Sequence, residues 1–84
     1  MHQNVNLPAA PLLREDLRNA QNKRRTMRML EGVIRESVCR LHTTDPEQYA
    51  EMLGQADEYA RQATQFDERI RHLTTQIQSL EMAR

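Results

Sequence analysis

Tyr49, Ala56, Ala63, Ile70 and Ile77 stand seven residues apart, as do Met52, Tyr59, Phe66, Leu73 and Leu80, and the two series are offset by three. Every slot of a five-heptad a/d seam is apolar. A helix patterned in this way keeps one stripe turned toward a neighbouring helix along its whole length, so this half of the chain is built to be held by another helix. The pattern describes an assembly device without naming what it assembles.

The rest of the chain supplies a first candidate for that neighbour. From Leu12 to about His42 no proline or turn pair intervenes, and Leu13, Ala20, Met27, Ile34 and Leu41 repeat every seven residues. The second series of this segment is Leu17, Arg24, Glu31 and Val38, charged in its middle where its ends are apolar. Residues 1–10 show no periodicity, and Pro11 suits a first helical turn. The reading is therefore a flexible arm over 1–10 and a helical hairpin over 11–84, with helix one at about 12–42 and helix two at about 46–82.

The break between the helices is written in Thr43, Thr44, Asp45 and Pro46. Short polar side chains compete with helical backbone, and a proline has no N–H to donate to a preceding turn. Asp45 suits the N-cap and Pro46 the first helical residue, while Glu47 puts a carboxylate near the positive helix end. Thr44 with Glu47 offers a capping box one residue earlier.

A break this short predicts an all-α fold, an antiparallel two-helix hairpin of coiled-coil type. Pairing positions whose numbers sum to 90 sets Leu41 by Tyr49, Val38 by Met52, Ile34 by Ala56, Met27 by Ala63, Ala20 by Ile70, Leu17 by Leu73 and Leu13 by Ile77. Large meets small in the layers of Ile34, Met27 and Ala20, which is the complementarity a packed seam needs. The same register sets Glu31 beside Tyr59 and Arg24 beside Phe66, where the arginine either lies over the ring as a cation–π pair or, the favoured reading, extends its stem across it with the head in water.

Charge agrees with this arrangement. Leu12 to His42 carries eight Lys or Arg against four acidic residues, and Asp45 onward carries eight acidic residues against four arginines, so the halves are about +4 and −4. Exposed pairs contribute only about 0.2 to 1 kcal/mol each, so the asymmetry selects orientation more than it adds stability.

Several function classes find little support. The single cysteine, Cys39, excludes a disulfide within the chain and fits a reducing compartment. It has His42 three residues on but no third orienting residue, so no catalytic residue is assigned. His2, His42 and His72 lack metal-ligand spacing, and no cofactor or metal is expected. No run approaches the about 18 apolar residues that span a bilayer. The start of the chain lacks the basic cluster and apolar core of a secretory leader, so a cytoplasmic protein is expected. Lys23, Arg24, Arg25 and Arg28 form one dense basic run, a candidate for nucleic acid or an anionic membrane surface. Zero net charge and the absence of aromatics beside it argue for a solvated helix face instead.

Apolar residues off the seam are left for a partner: Leu30 and Val33 on helix one, Leu53 and Ala60 on helix two, with Met29 beside them. Tyr49 and Tyr59 are candidate anchors, although their seam positions make core packing the stronger reading. The expected partner is another helical protein or a second copy of the chain.

The order arm, helix, polar break, Asp45-Pro46-Glu47-Gln48-Tyr49, long helix resembles the small helical-hairpin proteins of bacterial type III secretion, in particular needle co-chaperones of the YscE and SsaE kind. The specific part of the match is the segment Asp45 to Tyr49. The resemblance implies an adaptor that joins a second chaperone component and shields an aggregation-prone secretion subunit until export, with no residue doing chemistry. Needle subunits of the same machinery are also hairpins broken near an Asp-Pro, so a structural or filament-forming role is the alternative. The arginine-rich first helix departs from their pattern.

Overall fold

A computed structural model describes residues 3–40 and 45–83, with side chains from Ala10 onward. Among these residues the chain forms two helices, α1 over Gln3–Val38 and α2 over Pro46–Met82, packed side by side and antiparallel. The molecule is a rod of 66 × 15 × 14 Å. At about 1.5 Å per residue, α2 with its 37 residues runs most of that length.

The start of α2 follows its sequence. Asp45 has extended backbone, φ −148° and ψ 91°, and its carboxylate accepts a hydrogen bond from the Gln48 backbone N–H at 3.1 Å. Its carbonyl accepts the first helical bond, from the Tyr49 N–H at 2.9 Å. Asp45 is thus the cap and Pro46 opens the helix, where a proline's missing donor costs nothing. The competing capping box needs Thr44, which lies outside the described residues.

Helix α1 differs from expectation at both ends. In place of an arm over 1–10 the helix already begins at Gln3, nine residues before the predicted start, and it runs through Pro8 and Pro11. A proline's fixed φ is itself helical, so the backbone continues while forgoing the bonds that residues 8 and 11 would return to the preceding turn. At the other end α1 stops at Val38, short of His42. The Cys39 N–H bonds to the Arg35 carbonyl at 3.3 Å and the Arg40 N–H to the Ser37 carbonyl at 3.2 Å, a tightened last turn. Leu41, and with it the expected Leu41–Tyr49 layer, lies outside the described residues.

The core is the seam and little else. Ala20, Val38, Ala56, Ala63, Leu73 and Ile77 are buried, with Ala56 and Ala63 at 0% exposure. In each expected all-apolar layer from Val38–Met52 to Leu13–Ile77 one member is buried and the other half-buried, whereas Glu31 and Tyr59 are both half-buried and Arg24 is exposed beside a half-buried Phe66. Ala56 and Ala63 vanish beneath Ile34 and Met27 because an alanine opposite a long side chain lets the helices approach. Threonine and serine are accommodated elsewhere by bonding back four residues: Thr26 to the Asn22 carbonyl, Ser37 to Val33, Thr64 to Ala60 and Thr75 to Arg71.

Candidate functional site: the two edges of the seam

The seam has two edges, and the heptad positions name them. With Ala56 and Ala63 at position a of α2, position e holds Leu53, Ala60, Asp67, Thr74 and Glu81. The e position of α1 holds Arg14, Gln21, Arg28 and Arg35. The opposite edge carries the g positions, Asp16, Lys23, Leu30 and Ser37 against Gln48, Gln55, Gln62 and Arg69.

Ion pairs gather on the e edge. Arg14 pairs with Glu81, and Arg24 with Asp67. Asp67 also meets Arg28 at 3.8 Å, and Arg35 reaches Asp57 at 3.0 Å. Within α1 the Glu31 carboxylate accepts from Arg35 at 2.9 Å and from Arg28 at 3.0 Å. Asp67, Arg28, Glu31, Arg35 and Asp57 thereby form one continuous chain of charges that crosses between the helices twice. On the g edge, among the described residues, the helices are joined by a single ion pair, Arg69 with Asp16 at 3.9 Å. These partners number close to the register sum of 90 on both edges, so they fix the same alignment that the apolar layers predict.

The charges respond to this geometry. Hydrogen bonds from Arg35 and Arg28 hold the Glu31 carboxyl below the usual carboxylate range. Hydrogen bonds to Asp57 and Glu31 push Arg35 higher still. Glu58, on α2, is likewise lowered by Arg61 and then Gln62. Each shift favours the ionised form through a partner that carries opposite charge or donates a hydrogen bond.

The arrangement adds to two readings of the sequence. The Arg24 side chain is exposed, as expected, and its guanidinium also pairs with Asp67 across the helices. Of the dense run Lys23, Arg24, Arg25 and Arg28, the three arginines come to one side of α1 while Lys23 faces another, and Asp67 takes Arg24 and Arg28. A shallow groove lined by Gln21, Arg24, Arg25, Arg28, Asp67 and Ile70 therefore contains a carboxylate as well as cations.

The residues expected to bind a partner do not share one face. Leu53 and Ala60 lie on the e edge, Leu30 on the g edge, and Val33 on the outer side of α1. Leu30, Leu53, Ala60, Tyr49 and Tyr59 are half-buried, whereas Val33 is 56% exposed. Near the connection the e edge opens into a shallow groove formed by Arg35, Val38, Cys39, Tyr49 and Leu53. Met29, named beside these residues, is exposed as well, and so are Leu12 and Met82 outside the expected set. A helical-wheel reading of each apolar residue separately, rather than of off-seam residues as a class, would have separated these faces.

Chemistry-bearing groups are sparse. Among the described residues no three His, Cys, Asp or Glu side chains are placed to hold a metal ion. Cys39 is exposed, and His42, its potential neighbour, lies outside the described residues. Among the described residues no helix is long and apolar enough to cross a membrane. Comparison with protein-family models, curated proteins and solved structures finds no match to this chain.

Proposed function

We propose that the chain is a non-enzymatic helical adaptor or chaperone subunit that holds another helical protein in the cytoplasm. One observation carries this reading: six of the ten seam side chains of α2, Tyr49, Met52, Tyr59, Phe66, Ile70 and Leu80, are only half-buried in the two-helix layer. Two helices cover one side of each such residue, and a third helix laid along the seam would cover the other. Binding of that kind keeps an aggregation-prone helix occupied by mass action, which is what a holding chaperone requires. The resemblance of Asp45 to Tyr49 and the surrounding hairpin to needle co-chaperones supports a type III secretion subunit as the helix held.

Copurification from the native source, with mass identification of whatever stays bound and sedimentation of the complex, tests the reading. A helical protein at small fixed stoichiometry supports it. Species that lengthen without limit as concentration rises replace it with the filament-subunit alternative. Recovery of the chain with no bound protein overturns it.

A further inference from the structure

We infer that the outer face of α1 joins a second copy of this chain through a two-fold contact centred between Met29 and Gly32. Arg25, Met29, Gly32 and Glu36 follow one another at spacings of four, three and four, which brings them to one side of a helix within about 60° of arc. They occupy positions b and f, outside the a and d seam on which the proposed function rests, and Arg25 at one end also borders the e-edge groove with Asp67 and Ile70. Met29 is 60% exposed and its neighbour Val33 56%.

The face is complementary to itself. Laid antiparallel against a copy, with residue numbers summing to 61, Arg25 meets Glu36 of the second copy and Glu36 meets its Arg25. Met29 meets Gly32 of the second copy, and the reverse. Every contact is thus made twice, as an isologous interface demands. Arg25 and Glu36 are both exposed, and neither makes an ion pair among the described residues. Their neighbours Arg24, Arg28, Glu31 and Arg35 are all engaged.

Gly32 adds a steric argument. A glycine weakens a helix interior relative to alanine, and a Cβ at Gly32 would meet nothing within 4 Å. Nothing inside the hairpin requires the missing side chain. A Met29 side chain arriving from a second copy does use the space, because two helices approach most closely where one presents glycine. The patch is about 16 Å long, which makes a weak, concentration-dependent dimer rather than an obligate one.

Sedimentation equilibrium of the purified full chain, from about 10 µM to about 1 mM, tests the contact without any other protein, so its outcome is independent of the partner reading. The expected behaviour is monomer passing to dimer and no further. R25E and E36R should each weaken the dimer by about tenfold or more, because each places like charges together twice. The R25E/E36R double variant should recover to within about threefold, and an equimolar mixture of the two single variants should pair more tightly than either does alone. If circular dichroism shows that a reversal disturbs the helix, R25Q and E36Q take its place, with weakening of about threefold. A chain that stays monomeric, an association that ignores the single reversals, a double variant that fails to recover, or growth past the dimer each overturns the inference.

Discussion

The two edges of one hairpin are built differently. Along the e edge, Arg14–Glu81, Arg24–Asp67, Arg28–Asp67 and Arg35–Asp57 tie the helices together over about half of the rod, and Glu31 links two of those arginines. Along the g edge, Gln48, Gln55 and Gln62 stand where charges would otherwise meet, and Asp16–Arg69 is the one cross-helix ion pair among the described residues. Both edges flank the same apolar seam. The difference teaches that the seam holds the helices together while one edge chooses how they align: sliding α2 by a heptad preserves apolar contacts but carries Asp67 and Asp57 away from their arginines.

The largest expected effect comes from forcing both edges apart at once. Ala63 is fully buried opposite Met27, and Ala63→Leu should overpack that layer and cost about 1 to 3 kcal/mol, measured by chemical denaturation. An unchanged midpoint would refute the pairing of Ala63 with Met27 and the register that both edges share. A smaller loss, about 1 kcal/mol, is expected from Asp45→Ala, which removes the acceptor for the Gln48 N–H. This variant touches neither edge. It therefore separates stability owed to forming α2 from stability owed to aligning it, and a loss as large as that of Ala63→Leu would show that the distinction fails.

The seam was legible in the sequence because period-seven spacing is a property of side-chain type alone, and Asp45-Pro46 was legible because capping chemistry is local. Helix two accordingly begins and ends where its residues predict, at Pro46 and Met82. The start of α1 was misread because Pro8 and Pro11 are local breakers by type, yet each only withholds a donor from a backbone whose φ already suits a helix. The e edge was hidden for a different reason. Arg24 looked like a defect in the seam of helix one, and only the neighbouring helix, arriving with Asp67, gives its charge a partner. The run Lys23 to Arg28 is the solvated face that zero net charge and the lack of aromatics suggested, but the acidic neighbour it meets, Asp67, comes from the other helix. Leu30, Val33, Leu53 and Ala60 were grouped by being off the seam, a criterion that cannot tell one edge from the other.

Smaller effects sharpen the contrast between the edges. Asp67→Asn should cost up to about 1 kcal/mol, since Asp67 serves two arginines across the helices, whereas Asp16→Asn should cost a few tenths, near the about 0.2 kcal/mol floor for exposed pairs. Salt at about 1 M should bring the two variants together by screening the first. Equal losses at low salt would mean that neither edge is privileged.

The last test reads the e edge through pH. Because Arg35 and Arg28 hold the Glu31 carboxyl below its unfolded value, the folded state binds the proton less readily than the unfolded chain. Glu31 therefore contributes its stability fully above the ordinary carboxylate pKa, and loses it as pH falls through the lowered folded value. Wild type should melt higher than Glu31→Gln at neutral pH, with the gap closing on acidification because the variant has no proton to take up at this position. Glu58, lowered by Arg61 and Gln62 within α2 alone, supplies the comparison. Glu58→Gln should show an acid-dependent gap as well, but without the sensitivity to Asp57→Asn that Glu31 acquires through Arg35. If Asp57→Asn leaves the Glu31 gap unchanged, the two helices do not share one chain of charges, and the e edge reduces to separate pairs.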